Sequence, residues 1–495
     1  MQFGILVWDP HPANIVLELL IIPLVFGAMS LILPANWSKL IGGVGAIVSL
    51  VIACIHLIGF DPLSQIVLAS SSHKMAFGLT FNIGCDAFGL VMVLLTNAIV
   101  PLIFLSNWNR DLANNKLFTA LVFFMQLGLL GVFTAQDGII FYIFWEFTLI
   151  PIFLILYWFG AKENNKVLFK FFIYTLVGSL AMLLSLIALG SAAKSFAYID
   201  LKNVQLTQEV ACWIMSGFLL AFAIKIPLFP FHTWQPATYT TSPMAGTMLL
   251  SALMLKMALF GMMKWMLPLT YEGISTMKWP IIILGAIGIV YGAIIAIKQN
   301  DIKTLFAFAS ISHLGLIAAG IMLFNTAAWG GVMIQIINHS LISIGLFLAA
   351  DILEKRTGTR QLSELGGIAK LAPRFGFWFA VTVFAALSIP FSAGFIGEFI
   401  LIKELFDLHI IIGITAATSL ILGAVYMLRS YQLSMFGAPT LSNFEDVTWN
   451  EFIVFLLLSL LILAIGLFSS CIIEFTEPAF RIITETLSSN QQIIE

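Results

Sequence analysis

Charge is what this 495-residue sequence has least of, since only 10% of its residues are Asp, Glu, Lys or Arg whereas 60% are hydrophobic. A soluble domain carries roughly 25% charged residues. A chain so poor in charge could not cover a water-facing surface, so we expect most of its surface to face lipid. The formal net charge of −2 provides neither a basic patch for nucleic acid nor an acidic tail.

Cofactor motifs are missing as well. Cys54, Cys85, Cys212 and Cys471 are far apart in the sequence and form no CxxC pair. Zinc and iron–sulfur sites need clustered ligands, so we expect neither. The sequence has no GxGxxG before a helix and no P-loop. We therefore expect the chain to work without a metal or cofactor of its own.

Long apolar runs are what the sequence has in abundance. We predict about fourteen transmembrane helices, because a helix needs roughly 20 apolar residues to cross the hydrocarbon core. The runs lie near 15–33, 40–60, 85–106, 117–135, 138–160, 167–190, 211–231, 243–267, 279–298, 304–323, 329–353, 375–402, 410–434 and 450–473. No connection between them is long enough for a soluble domain. The predicted fold is a single all-α integral membrane domain spanning residues 1–495.

The orientation follows from the basic residues in the loops. Lys and Arg are more numerous on the side that carries Lys39, Arg110 and Lys298, and fewer on the opposite side, to which we assign Lys202 and Lys264. The positive-inside rule places the first side in the cytoplasm. Because the predicted helix count is even, both termini are expected on the non-cytoplasmic side, here of a bacterial inner membrane. The N-terminus lacks the basic region of a signal peptide, so the first apolar run is expected to remain as a helix.

Two of the predicted helices carry helix-breaking residues next to an ionisable one. Pro227 and Pro230 follow Lys225, and Pro390 and Gly394 precede Glu398. Proline removes a backbone donor and clashes with the preceding turn, which frees carbonyl groups that other partners must satisfy. A simple proline kink would also explain either segment alone. The pair of interruptions favours two broken helices.

Interrupted helices at corresponding positions are typical of transporters built from inverted repeats. The two interruptions lie five helices apart in the predicted order. We therefore predict an inverted five-helix repeat, with the first copy at 117–267 and the second at 279–434.

A small set of ionisable residues lies at membrane depth, namely Glu146, Lys225, Lys256, His313, His339 and Glu398. A charge at the bilayer centre costs roughly 2.5–3.5 kcal/mol on insertion scales, so such residues need a reason. One interpretation is a static ion pair with hydrogen-bonded histidines. The other is a proton path, because desolvation makes a buried Lys easier to deprotonate and a buried Glu easier to protonate. Lys256, with apolar neighbours on both sides, favours the proton path.

Several motifs in this order resemble one family. They are Trp145-Glu146 with Pro151, Lys225 with Pro227, Pro230, His232, Trp234 and Pro236, then Lys256, then Ser310 to Gly315 around His313, and finally Gly394 to Phe399 around Glu398. Together they resemble the antiporter-like subunits of respiratory complex I, which are relatives of the Mrp cation/proton antiporters. The resemblance covers roughly residues 80–435. A Glu at position 398, where two of the three antiporter-like subunits have Lys, resembles the third.

The resemblance implies a proton-translocating membrane subunit of NADH:quinone oxidoreductase, driven by quinone reduction in other subunits. It implies that Glu146 and Lys225 form a gating pair and that Lys256 is the central carrier. It also implies that His313 and His339 connect that carrier to Glu398, the output residue.

The same resemblance places flavin, iron–sulfur clusters and quinone in partner subunits and no redox centre in this chain. The implied partners are the other membrane subunits of the complex, especially the two other antiporter-like subunits. A subunit of a Mrp-type cation/proton antiporter and a subunit of a membrane-bound hydrogenase complex remain as alternatives.

The sequence departs from the family pattern in two places. Ala237, Thr238 and Tyr239 stand where the family often has Asp-Ala-His, and Phe391 stands after Pro390 where many members have Gly. Neither change removes a residue of the implied proton path. The second is expected to stiffen the break in its helix.

Overall fold

The computed structural model describes residues 15–63, 68–74, 80–110, 112–161, 165–439 and 442–494. The chain is mostly helical, at 82%, as the composition predicts. The first part contains α1 (Ile15–Ile32), α2 (Ser38–Gly59), α3 (Ala87–Ser106), α4 (Asn115–Thr134), α5 (Gly138–Phe159), α6 (Asn165–Ala193), α7 (Tyr198–Lys202), α8 (Gln208–Lys225) and α9 (Gln235–Thr241).

The middle of the chain forms one interrupted helix. The last part of the described chain forms nine further helices, α13 to α21. The interrupted helix consists of α10 (Met244–Met248), a π-helical segment at Leu249–Met254, α11 (Leu255–Gly261), a second π-helical segment at Met262–Met266 and α12 (Leu267–Leu269). The others are α13 (Ile274–Lys298), α14 (Ile302–Ile321), α15 (Thr326–Thr357), α16 (Ile368–Leu371), α17 (Pro373–Ala386), α18 (Ala393–Leu408), α19 (Ile410–Met435), α20 (Trp449–Leu467) and α21 (Ser469–Ile494). Short 3-10 turns lie at Ala35–Trp37, Tyr271–Gly273 and Leu362–Glu364.

The predicted apolar runs correspond to these helices. Within the described residues, 12 helices are long and apolar enough to cross a membrane, and Val16–Ile32 and Pro373–Ala386 are shorter apolar helices. The run predicted at 375–402 divides into α17 and α18. The run predicted at 450–473 is too long, because α20 ends at Leu467. Phe468 leaves helical geometry (φ −120°, ψ 33°), and α21 begins at Ser469. The prediction of a polytopic helical membrane domain is confirmed.

The structure contains a two-stranded hairpin that the all-α prediction did not include. Strand β1 (Leu68–Lys74) pairs antiparallel with β2 (Thr80–Cys85) in the connection between α2 and α3. Isolated bridges join Ile83 to Ala135 and Asp137 to Ala197. These bridges gather the hairpin, the α4–α5 loop and the α6–α7 loop at one end of the bundle. We call that end the hairpin side. Pairing over so few residues leaves too weak a sequence signal to separate a strand from a loop.

Both predicted breaks are present. Helix α8 ends at Lys225 and α9 begins at Gln235, and the indole N–H of Trp234 donates to the carbonyl oxygen of Ile224 at 2.8 Å. This bond satisfies a carbonyl in the last turn before the prolines, as a broken membrane helix requires.

The second break separates α17 from α18 and contains a residue in the left-handed region. Phe391 has φ +73°, a conformation that favours glycine and explains why a glycine would suit this position. The break also packs tightly against α20. A Cβ at Gly466 would lie 2.1 Å from the carbonyl oxygen of Phe391, so only glycine fits there.

The predicted five-helix repeat stays a prediction. In each of the two predicted segments the broken helix is the fourth in order, α8 with α9 in one and α17 with α18 in the other. Between the first helices of the two segments, α4 and α13, lie four membrane-crossing helices, so α4 and α13 run in opposite directions.

The interior of the bundle is formed by two segments. The most apolar stretches of Met244–Leu269 and of α15 are 100% buried inside the protein, whereas those of the peripheral helices α19 and α20 are mostly exposed. Lys256 lies on the first of these segments and His339 on the second. Both are therefore held in the part of the molecule furthest from lipid.

Candidate proton path

Lys256 is fully buried and its ammonium group has two oriented partners. Its Nζ lies 2.5 Å from the carbonyl oxygen of Ser251 and 2.7 Å from Nδ1 of His339. The Ser251 carbonyl belongs to the π-helical segment before α11, where the regular i→i−4 hydrogen bonds are interrupted and a carbonyl can accept from a side chain. Among the described residues no carboxylate lies within 4 Å of Lys256. The group is thus held by neutral acceptors, which leaves it free to exchange a proton.

The two predicted histidines connect α11 to α14 and α18. His339 on α15 faces His313 on α14, with ring centroids 6.1 Å apart and the planes at 70°. Ser343 lies 3.3 Å from Nδ1 of His339. His313 in turn contacts Glu398, with 3.1 Å between Nδ1 and Oε1. The two imidazoles are in ring contact, whereas the other two steps of the series are direct contacts between polar atoms.

Glu398 is 3% exposed, and its carboxylate is oriented from α15. The side-chain amide of Gln335 donates to Oε1 of Glu398 at 3.1 Å, and Asn338 lies 3.4 Å from the amide oxygen of Gln335. Gly397 allows this approach, because a Cβ there would lie 2.8 Å from the amide oxygen of Gln335. Four of the predicted residues, Lys256, His339, His313 and Glu398, therefore form one line, in which His313 is half-buried and the other three are buried.

The predicted gating pair is placed differently. Lys225 is 2% exposed at the end of α8, and its Nζ lies 5.6 Å from the centroid of the Trp145 ring. Glu146, the next residue along α5, is half-buried. None of the ion pairs within 4 Å that the described residues make joins Glu146 to Lys225. The structure therefore holds the two residues apart rather than in contact.

Sequence reasoning missed two kinds of residue. Gln335 and Asn338 carry no charge, and a polar amide in a membrane helix gives little signal on its own. Lys264 was assigned to a loop but lies in the π-helical segment Met262–Met266, where it is 7% exposed and pairs with Asp86. Lys264 lies eight residues after Lys256 within one apolar run, and this position was the available sign that Lys264 is buried. Asp86 also caps α3 by accepting from the Gly89 N–H at 2.8 Å.

The potential metal ligands do not converge. In the described part of the chain no three His, Cys, Asp or Glu residues are grouped so that they could hold a metal ion. The four cysteines are free and belong to α2, β2, α8 and α21. The chemistry that the geometry supports is proton exchange between side chains.

Comparisons with known proteins show the family to which the chain belongs. The family model described as "NADH:quinone oxidoreductase/Mrp antiporter, TM" matches residues 135–423. NADH-quinone oxidoreductase subunit M of Rhodobacter capsulatus is 31% identical over 461 residues, which are 90% of this chain and 89% of that protein. This likeness confirms the resemblance to the antiporter-like subunits of respiratory complex I that the motifs indicate.

Two solved structures have the same fold. A chain of respiratory complex I from Thermus thermophilus with bound NADH superposes with a TM-score of 0.88 at 29% identity, covering 96% of this chain and 99% of that one. A chain of the Mrp complex from Dietzia sp. DQ12-45-1b superposes with a TM-score of 0.82 at 18% identity, covering 98% and 100%. The second likeness shows the fold alone.

Proposed function

Since this chain belongs to the family of NADH:quinone oxidoreductase and Mrp antiporter transmembrane subunits, we propose that it moves protons across a membrane as a membrane-arm subunit of an NADH:quinone oxidoreductase. The observation that carries the proposal is the line from Lys256 through His339 and His313 to Glu398. Every member of that line can bind and release a proton, and a static core would not need all of them in series.

In this proposal Lys256 is the central carrier, the two histidines pass the proton along and Glu398 is the output residue. Glu146 and Lys225 act as the gate. Because the two gate residues are apart in the structure, an approach of Glu146 would favour the charged form of Lys225, and its withdrawal would release the proton. Residues 117–267 and 279–434 would be the inverted repeats that carry the two half-paths.

The driving force must come from outside this chain. Moving one charge against 100 mV costs about 2.3 kcal/mol, and the residues of the path offer no chemistry that could supply it. We assign the drive to quinone reduction in other subunits, which would also hold the flavin and the iron–sulfur clusters. The two other antiporter-like subunits are the proposed neighbours. From the distribution of basic residues among the loops we infer that both termini lie on the non-cytoplasmic side, here of a bacterial inner membrane.

The partners can be identified directly. The tagged chain, purified in a gentle detergent from its native membrane, is expected to bring with it flavin- and iron–sulfur-bearing subunits that oxidise NADH, as mass spectrometry would show. An untagged strain is the control for non-specific capture. Recovery of small antiporter subunits alone, or of a nickel–iron hydrogenase, would instead support one of the alternative complexes.

If Glu146 and Lys225 form the gate, changing either residue should lower quinone reduction and proton pumping together. Glu146→Gln and Lys225→Met are each expected to lower quinone reduction and proton pumping together by at least roughly tenfold, since positioned proton-transfer groups typically contribute 10²–10⁴-fold. Both rates are measured in membrane vesicles at matched amounts of complex. Glu209→Gln and Lys298→Met, at exposed positions, are the controls and should change neither rate. Gate variants that pump normally would remove Glu146 and Lys225 from the mechanism.

A further inference from the structure

Four polar atoms near the gate and the central carrier are buried without a hydrogen-bond partner among the described residues. They are the nitrogen and the oxygen of the Gln235 side-chain amide, the phenol oxygen of Tyr239 and the hydroxyl oxygen of Ser251. All three side chains are 0% exposed. The Tyr239 phenol faces the Gln235 amide, but the two groups do not close a hydrogen bond. Buried polar groups in proteins are normally hydrogen-bonded, either to the protein or to ordered water.

Gln235 lies close to the broken end of α8. The end of α8 and the start of α9 are tied together, because the indole N–H of Trp234 donates to the carbonyl oxygen of Ile224 at 2.8 Å. Gln235 follows Trp234 directly, and Lys225 follows Ile224. The unpaired amide of Gln235 is therefore held near the gate residue Lys225, whose side chain is itself buried.

The register between α9 and the interrupted helix brings Gln235 and Ser251 to a similar depth. The two segments meet at a turn at 242–243, and the Thr247 hydroxyl donates to the carbonyl oxygen of Tyr239 across that turn at 3.2 Å. Four residues back from Tyr239 is Gln235, and four residues forward from Thr247 is Ser251, each about 6 Å further along its helix. An unpaired amide and an unpaired hydroxyl therefore lie at matching positions on neighbouring segments.

Tyr239 and Ser251 also border the surroundings of the central carrier. The carbonyl oxygen of Ser251 accepts from Nζ of Lys256 at 2.5 Å. The ring of Tyr239 contacts that of Phe347 on α15, with centroids 5.6 Å apart. Phe347 lies about two helical turns after His339, the other partner of Lys256. The unpaired groups therefore extend from the end of α8 to the residues that hold the carrier.

Water is the partner that suits these groups. A buried water molecule typically binds two to four polar groups that are otherwise unsatisfied. The amide, the phenol and the hydroxyl can each donate and accept a hydrogen bond. None of the three side chains is charged near neutral pH, so together they favour neither a cation nor an anion. Water held in this way can accept a proton from one neighbour and give another proton to the next.

We propose that Gln235, Tyr239 and Ser251 hold a short chain of buried water that carries the proton from Lys225 to Lys256. The inference rests on the proposed function, in which Lys225 belongs to the gate and Lys256 is the central carrier. The three side chains are positioning residues, because they orient the water and keep their own protonation state. The onward line from the carrier to the output residue is unchanged.

The transfer conserves charge and protons. When Glu146 withdraws, the Lys225 ammonium gives one proton to the first water and becomes a neutral amine. Each water accepts one proton and passes another on. Lys256, which has given its earlier proton to His339, accepts the proton at its amine and becomes an ammonium again.

Two replacements of Tyr239 separate this role from packing. Tyr239→Phe keeps the ring against Phe347 and removes only the phenol oxygen, which has no partner among the described residues. Tyr239→His loses part of that packing but keeps a hydrogen-bonding group. A packing role predicts normal pumping by Tyr239→Phe and slower pumping by Tyr239→His. We expect the reverse order, with Tyr239→Phe about fivefold slower than the wild type, the factor that one lost hydrogen bond corresponds to. Normal pumping by Tyr239→Phe would overturn the proposal.

The hydroxyl of Ser251 allows a matched comparison. Ser251→Ala removes an unpaired buried hydroxyl next to the carrier, and Ser49→Ala removes an equally unpaired buried hydroxyl from α2. Pumping is measured in vesicles at matched amounts of complex, in ordinary and in deuterated water. We expect Ser251→Ala to pump about fivefold more slowly and to show a larger solvent isotope effect, since proton transfer becomes the slow step. Ser49→Ala should match the wild type in both measurements, and equal behaviour of the two variants would contradict the water chain.

Removing all three groups together gives the largest expected effect. The triple variant Gln235→Leu, Tyr239→Phe and Ser251→Ala loses no side-chain hydrogen bond that the described residues make, so the complex should assemble in normal amounts. Its pumping should fall at least roughly tenfold, since several hydrogen bonds to water are lost. If it pumps normally while Lys256→Met in the same vesicles does not pump, only the water chain is wrong. If Lys256→Met itself pumps normally, the proposed function is wrong and the water chain falls with it.

Discussion

Lys256→Met is expected to lower proton pumping by about 100-fold or more while the complex still assembles. The large loss follows because Lys256 lies at one end of the line and methionine can neither bind nor release a proton. Assembly should survive because the side chain is fully buried and an apolar replacement of similar length removes the cost of burying a charge. The freed His339 nitrogen keeps a neighbour in Ser343.

The measurement is dye-reported acidification of inside-out membrane vesicles on addition of NADH, normalised to the amount of assembled complex. Lys298→Met changes an exposed lysine in the last turn of α13 and is the control for the substitution itself. A Lys256→Met complex that acidifies vesicles at more than about a tenth of the wild-type rate would contradict the role of central carrier.

Glu398→Gln is expected to have the second largest effect, a loss of pumping of at least roughly tenfold. Glutamine has nearly the shape of glutamate, and its carbonyl oxygen can still accept from the Gln335 amide. It cannot be protonated, so a proton that arrives at His313 has no acceptor. The packing around α18 is unchanged, which separates the loss of proton exchange from a loss of structure.

The same vesicle assay tests this variant, with Asp407→Asn as the control on the exposed face of α18. A further check is the Lys256→Met, Glu398→Gln double variant. The losses caused by changing groups that act in series do not add. The double variant should therefore pump no more slowly than the slower of the two single variants. Additive losses would indicate two independent paths instead of one line.

The sequence predicted the architecture because the bilayer imposes it one segment at a time. Each apolar run must form a helix to satisfy its backbone groups, and the prolines at 227, 230 and 390 interrupt two of these helices. Lys256 and Glu398 were identified by the same logic, since a charge in an apolar run is costly wherever its partner lies. The hairpin of β1 and β2 and the buried position of Lys264 were missed, because short strands and helix boundaries leave weak local signals.

What the sequence by itself determined is that charges such as Lys256 and Glu398 lie within apolar runs and that two helices are broken, since both depend only on neighbours along the chain. Only the tertiary structure decided which charges meet. The contact of Lys256 with His339 joins residues 83 positions apart, whereas Glu146 and Lys225 make no ion pair. Only the fold revealed Gln335 as the partner of Glu398 and Asp86 as the partner of Lys264. The physical reason is that such contacts depend on how α15 packs against α11, α14 and α18, and helix packing is set by side-chain shape across the whole bundle rather than by hydropathy along one segment.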